Sequence, residues 1–232
     1  MTSRSELHAV AAPAAAGHDR AIVERLGELS SSGPLEPGTV ALCVAAVAAW
    51  KDEPAWLRAA LQLAPHHGVT AAALRQGGAV VALARGTCAE RRYLAGVAQQ
   101  FPNVVTLAVA EERAGDAGFD AWSYFEGHFG TVPERVALLC QLLPDEFATY
   151  GRRHAAALHS PVLDTKVAEL MLCALNASDF QHEFLQIHVA GARRAGASEE
   201  EIAQAGYAAT PFSGIAAWPA LAAAIVATRP SA

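Results

Sequence analysis

Apolar stretches of helix length alternate along this chain with short breaks rich in Gly, Pro, Ser and Thr. Residues 1–18 carry no sustained period and are expected to be a mobile N-terminus. Periodicity then predicts helices over Asp19–Leu29, ended by Ser30–Pro34, and over Glu53–Ala64, stopped by Pro65 and Gly68, with the apolar segment Val40–Ala49 between them. A further helix starts after Thr70, and Gly86 separates it from one reaching Gln100. Val104–Val109 is β-branched enough for a strand, but a lone strand has nothing to pair with, so helix or extended loop is expected there. The stretch 111–130 reads as a linker.

Helix punctuation is denser in the second half. Thr131-x-x-Glu134 has capping-box spacing with Pro133 in its first turn, and Pro144 opens a helix running to about Leu158. Asp164 is placed to cap Thr165–Ala177, Ser178-x-x-Gln181 the next helix to Gly196, and Ser198-x-x-Glu201 one more. Thr210-Pro211 opens the last. So many starts carrying a side-chain oxygen, with Gly or Pro at several ends, predict an all-α fold.

Shifting the chain on itself by 128 residues aligns Leu35–Gln76 with Leu163–Gln204 without a gap. The informative pairs have structural jobs: Gly68/Gly196 closes a helix, Thr70/Ser198 caps the next, and Gly86 meets Gly214. The expectation is a duplicated helical unit, 19–110 and 131–232, packed as one pseudo-symmetric globule.

Composition narrows the classes. At 53% hydrophobic and 17% charged residues, the chain has the means for a folded core, and its alanine content favours closely packed helices. A net charge of −6 without a basic face argues against nucleic-acid binding. The longest apolar runs, Val40–Trp50 and Ile215–Thr228, are short for a membrane span, and no signal peptide is apparent. Four scattered cysteines with no C-x-x-C pair point to a reduced, cytoplasmic protein. His66-His67 lacks acidic or Cys neighbours, so no metal site is expected.

Candidate chemistry concentrates in the second unit. Glu169, Cys173 and Asn176 share one helical face, and Phe184 and His188 share another. Alone, Glu169 would be a solvated position or a partner of Lys166 one turn earlier. Trp122–Phe129 is the one aromatic concentration; it reads as a staple between the two units, with a lid over a pocket as the alternative. Arg152-Arg153-His154 reads as a charged helix end.

The pattern Leu163-Asp164-x-Lys166-x-x-Glu169 followed by His188-x-x-x-Ala192-x-x-x-Gly196-x-Ser198-x-Glu200-Glu201-Ile202 resembles the AhpD-like superfamily, which includes the carboxymuconolactone decarboxylases. The resemblance implies antiparallel neighbouring helices that bring Glu169 toward His188, a carboxylate–imidazole pair suited to acid–base work. Gln181 and Phe184 stand where peroxidase members carry their two cysteines, so the family's thiol chemistry is not expected. In the first unit Ala41 and Ala60 stand where the second has Glu169 and His188.

The implied reading is a cofactor-free lyase or isomerase for a small cyclic or aromatic-derived carboxylate or lactone. His188 and Glu169 would be catalytic, with Phe184, Gln181, Asn176, Cys173 and Trp218 around the substrate. The alternatives are a non-catalytic binding or assembly module and, more remotely, a peroxidase relative using Cys173 alone. By the same resemblance the chain is expected to be a homo-oligomer, a trimer before a dimer.

Overall fold

The computed structural model of the protein describes residues 17–102 and 118–229. Among these residues the regular elements are all helices, and Ser160 and Leu163 make an isolated β-bridge. The first half contains α1 (Gly17–Ser30), α2 (Pro37–Lys51), α3 (Pro54–His66) and α4 (Ala71–Gln100). Next come α5 (Ala121–Phe129), α6 (Glu134–Leu142) and α7 (Pro144–Leu158). The chain ends with α8 (Thr165–Ala177), α9 (His182–Arg194), α10 (Glu199–Tyr207), the single turn α11 (Thr210–Ser213) and α12 (Ala217–Ala227).

Two helices form the centre because no side of them can face water. In α2 every residue from Val40 to Ala49 is buried, and in α8 every residue from Ala168 to Ala177. A helix apolar all round has to sit inside, and alanine lets its neighbours approach closely. These two helices pack against each other, α3 lies on α2, and α9 lies on α8.

The backbone repeats itself 128 residues apart in detail. Left-handed residues follow both central helices, Asp52 at φ 59° and Phe180 at φ 56°. Glu53 N then bonds Ala48 O at 2.9 Å, and Gln181 N bonds Asn176 O at 3.0 Å. Gly68 and Gly196 have φ of 82° and 88°, where only glycine is free of strain. Beside them Val69 N reaches Ala64 O and Ala197 N reaches Ala192 O, at 3.2 and 2.9 Å, the closing bond of a Schellman turn. Gly86 (φ 74°, ψ −179°) kinks α4, and Gly214 (φ 67°, ψ −175°) parts α11 from α12. Thr70 caps Ala73 N, and Ser198 with Glu201 completes a reciprocal capping box.

Several expectations need correction. Thr131 does not cap: Pro133 occupies the N-cap of α6, because a residue preceding proline is driven out of the helical region and Val132 cannot be a first turn. Ser178 ends α8 instead of starting α9, donating its hydroxyl to Leu175 O at 2.7 Å, and Gln181 takes the N-cap without a side-chain bond. Thr210-Pro211 opens only one turn before Gly214 breaks it. Part of the expected linker 111–130 is helix α5. The Val104–Val109 question falls outside the described residues, as does the N-terminal segment 1–16.

Helices α5–α7 carry a small core of their own, built on Phe125, Val136 and Phe147. Aromatic rings around Phe125 stack within it, including Phe129 at 6.0 Å and Tyr150 at 5.2 Å. α7 ties this layer to both halves through contacts with α4 and α8.

Candidate functional site

Because α8 is buried on every side, its carboxylate has to be satisfied internally. Glu169 is 1% exposed, and its Oε2 accepts a hydrogen bond from His188 Nδ1 at 2.8 Å. The expectation of a solvated or Lys166-paired glutamate is overturned: Lys166 Nζ bonds Glu201 Oε1 instead, at 2.9 Å. Space for the carboxylate comes from Gly191 on α9, where a methyl group would collide with Glu169. A carboxylate can only accept, so His188 carries its proton on Nδ1, and Nε2 is the nitrogen left for a substrate.

Two cavities meet at this pair. The smaller, of about 180 Å³, is lined by His188, Asn176, Gln181, Phe184, Arg85 and His154 among others. Three of the residues expected around a substrate are therefore brought together beside His188. Cys173 and Trp218 line neither cavity. Cys173 is fully buried behind Glu169, and burial pushes its thiol well above the usual range, so it is a poor nucleophile. Trp218 stands 39% exposed on α12. The larger cavity, of about 590 Å³, is reached by Glu169 and walled by α5.

Several residues that shape these cavities were not expected there. Arg85, on α4, lies over the Trp50 ring at 5.4 Å, and its guanidinium donates to Leu175 O at 2.5 Å at the C-terminus of α8. Its Nε lies 3.3 Å from Asp179 Oδ2, off the hydrogen-bonding direction, while Asp179 also accepts from Trp50 Nε1 at 2.6 Å. Burial pulls the Arg85 pKa down, and Asp179 opposes the shift.

From α5, His128 Nε2 approaches Glu169 Oε1 to 3.8 Å, and the His128 ring stacks on Tyr124 at 5.8 Å. Tyr124 Oη bonds His154 Nδ1 at 2.7 Å. Burial, and next the charge of Glu169, push the Tyr124 hydroxyl upward, so it donates and His154 accepts. Burial drives His154 down to about 3 and His128 to about 4, which leaves both rings neutral near pH 7. The aromatic segment read as a staple thus also supplies a wall of the larger cavity. A signal for His154 was present: Phe147, Gly151, His154 and Leu158 fall at helical spacing on the buried face of α7.

Residues 144–227 match the model of the carboxymuconolactone decarboxylase family. The second half of the chain is a carboxymuconolactone decarboxylase-family domain. Neither a curated protein nor a solved structure matches the chain. The family domain supplies Glu169, Gln181, Phe184, His188 and Gly191, whereas Arg85, Tyr124, His128 and Arg135 reach its cavities from outside the matched residues. Among the described residues no helix is long and apolar enough to cross a membrane, and no group of three or more His, Cys, Asp or Glu side chains could hold a metal ion.

Proposed function

We propose that the chain is a duplicated member of this family that performs cofactor-free acid–base chemistry on a small carboxylate or lactone. The observation that carries the reading is the buried Glu169–His188 pair, whose imidazole borders a cavity flanked by two guanidinium groups. Arg85 and Arg135 are among the lining residues of the smaller cavity and no carboxylate is, so its electrostatics favour an anion. Phe184, 44% exposed with Arg135 over its ring at 5.9 Å, offers an apolar wall for the body of the substrate.

Loss of carbon dioxide breaks the bond to the carboxyl group and leaves its electron pair on the substrate, where a neighbouring carbonyl delocalises it. The protein then has to deliver one proton to that carbon. His188 in its imidazolium form gives the Nε2 proton, keeps the Nδ1 proton on Glu169, and becomes neutral. Glu169 fixes the ring and stabilises its charged form. Duplication is supported by the backbone coincidences 128 residues apart. Assembly into a homotrimer belongs to the same reading, since Ile215 and Val226 near and on α12 stand 67% and 62% exposed.

The competing reading is a binding or assembly module, favoured by the alanines at positions 41 and 60 where the second half has its pair. The test is thermal-shift binding of benzoate and small lactones to wild type and to His188→Ala, with circular dichroism confirming that both are folded. A shift confined to wild type supports the catalytic site. Equal shifts in both proteins, or none in either, overturn it in favour of the module.

A further inference from the structure

Glu169 presents two oxygens to two different environments. Oε2 is consumed by His188, whereas Oε1 faces the larger cavity and accepts no hydrogen bond among the described residues. A buried carboxylate oxygen without a donor is a high-value position for any ligand that brings one. His128 Nε2, 3.8 Å away, is too far to donate directly but near enough for one hydroxyl to touch both atoms. Gly191 keeps the carboxylate uncovered from the α9 side, and Gly127 leaves the α5 wall open.

The rest of the wall specifies the ligand further. Rings of Tyr124, His128 and His159 line the cavity, with Tyr124 and His159 edge to face at 5.8 Å, a surface suited to a flat ring. Two carboxylates, Asp164 and Glu169, face it against one cation, Arg194. With His128 held neutral by burial, the imidazole adds no positive charge at pH 7. An anion is therefore disfavoured here, the reverse of the smaller cavity with Arg85 and Arg135.

We propose that the larger cavity is a second ligand site, taking a small neutral hydroxylated ring of the phenol kind. Its hydroxyl donates to Glu169 Oε1 beside His128, while the ring lies against Tyr124. The two sites then share Glu169: a donor on Oε1 withdraws charge from the oxygen pair that holds His188. This inference stands on the geometry of the larger cavity and is independent of turnover in the smaller one.

The test is the affinity of 4-fluorophenol and 4-fluorobenzoate, each followed by fluorine NMR, for wild type, Gly127→Phe and Phe184→Trp. Position 127 has open space around an added Cβ, so phenylalanine there enters the larger cavity without a backbone clash. The expected result is that Gly127→Phe weakens 4-fluorophenol by about tenfold or more while Phe184→Trp leaves it within about twofold, with the dependence reversed for 4-fluorobenzoate. Failure of 4-fluorophenol to bind wild type, or equal weakening by the two variants, overturns the second site. Normal behaviour of the phenol with no binding of the benzoate instead sinks the carboxylate reading of the smaller cavity and leaves this one standing.

Discussion

The α2–α3 pair and the α8–α9 pair follow the same backbone course to opposite ends. Ala41, Ala60 and Leu63 occupy one, and Glu169, His188 and Gly191 stand at the corresponding places of the other. All six are buried. In the first pair a large apolar side chain on the outer helix fills the space above a small residue on the inner one. In the second the sizes are exchanged, and Gly191 yields its volume to the Glu169 carboxylate. Close packing makes such exchanges reciprocal: an interior has no spare room for both a leucine and a glutamate. The difference shows that one packing scheme can be closed with hydrocarbon or opened around a polar pair, at the cost of desolvating the latter.

The comparison is broken most severely by Gly191→Leu, which forces leucine onto the carboxylate. A loss of about 4 kcal/mol is expected from overpacking and the displaced charge together, read by urea unfolding. Adding Glu169→Ala and His188→Ala recreates the first pair's triplet and should recover most of that loss. Without recovery, the two pairs are not interchangeable packings. Glu169→Ala alone removes the partner of a buried imidazole and should cost about 3 kcal/mol, whereas Ala41→Gly in the first pair removes one methyl and costs about 1 kcal/mol.

Acid sharpens the contrast less strongly. His128 and His154 have folded values near 4 and 3, below the unfolded imidazole value, so the unfolded chain binds more protons as pH falls. Their stability is complete above about pH 6.5 and is lost progressively as pH drops toward those folded values, by up to about 2 kcal/mol per ring at pH 5. In the first half the buried groups Cys43 and Tyr93 are pushed upward by burial and stay neutral throughout. His154→Phe combined with Tyr124→Phe should flatten the acid limb of a melting-temperature profile; an unchanged limb would refute the assignment.

The smallest effect lies at the equivalent caps. Ser198→Ala breaks both bonds of a capping box and should cost about 1 kcal/mol, more than Thr70→Ala, which loses a single bond. A larger loss at Thr70 would place greater strain on the first half than its packing suggests.

Much of this was open to reading along the chain. Gly68 and Gly196 announce their left-handed turns because other residues are strained there, and Ser198-x-x-Glu201 announces its box because both bonds are local. Spacing alone suggested that Glu169 would find His188. Non-local features were out of reach: nothing near Arg85 in sequence says that it closes the C-terminus of α8, 90 residues away.

The sequence by itself determined the helical class, most helix boundaries and the pairing of carboxylate with imidazole, since each rests on periodicity, caps and short spacings. Tertiary structure alone decided that Lys166 turns to Glu201, that Cys173 is sealed in the core, and that α5 brings His128 to the free oxygen of Glu169. Those outcomes depend on which distant surfaces exclude water from which side chains. That choice is made by packing the whole chain at once, and no local pattern encodes it.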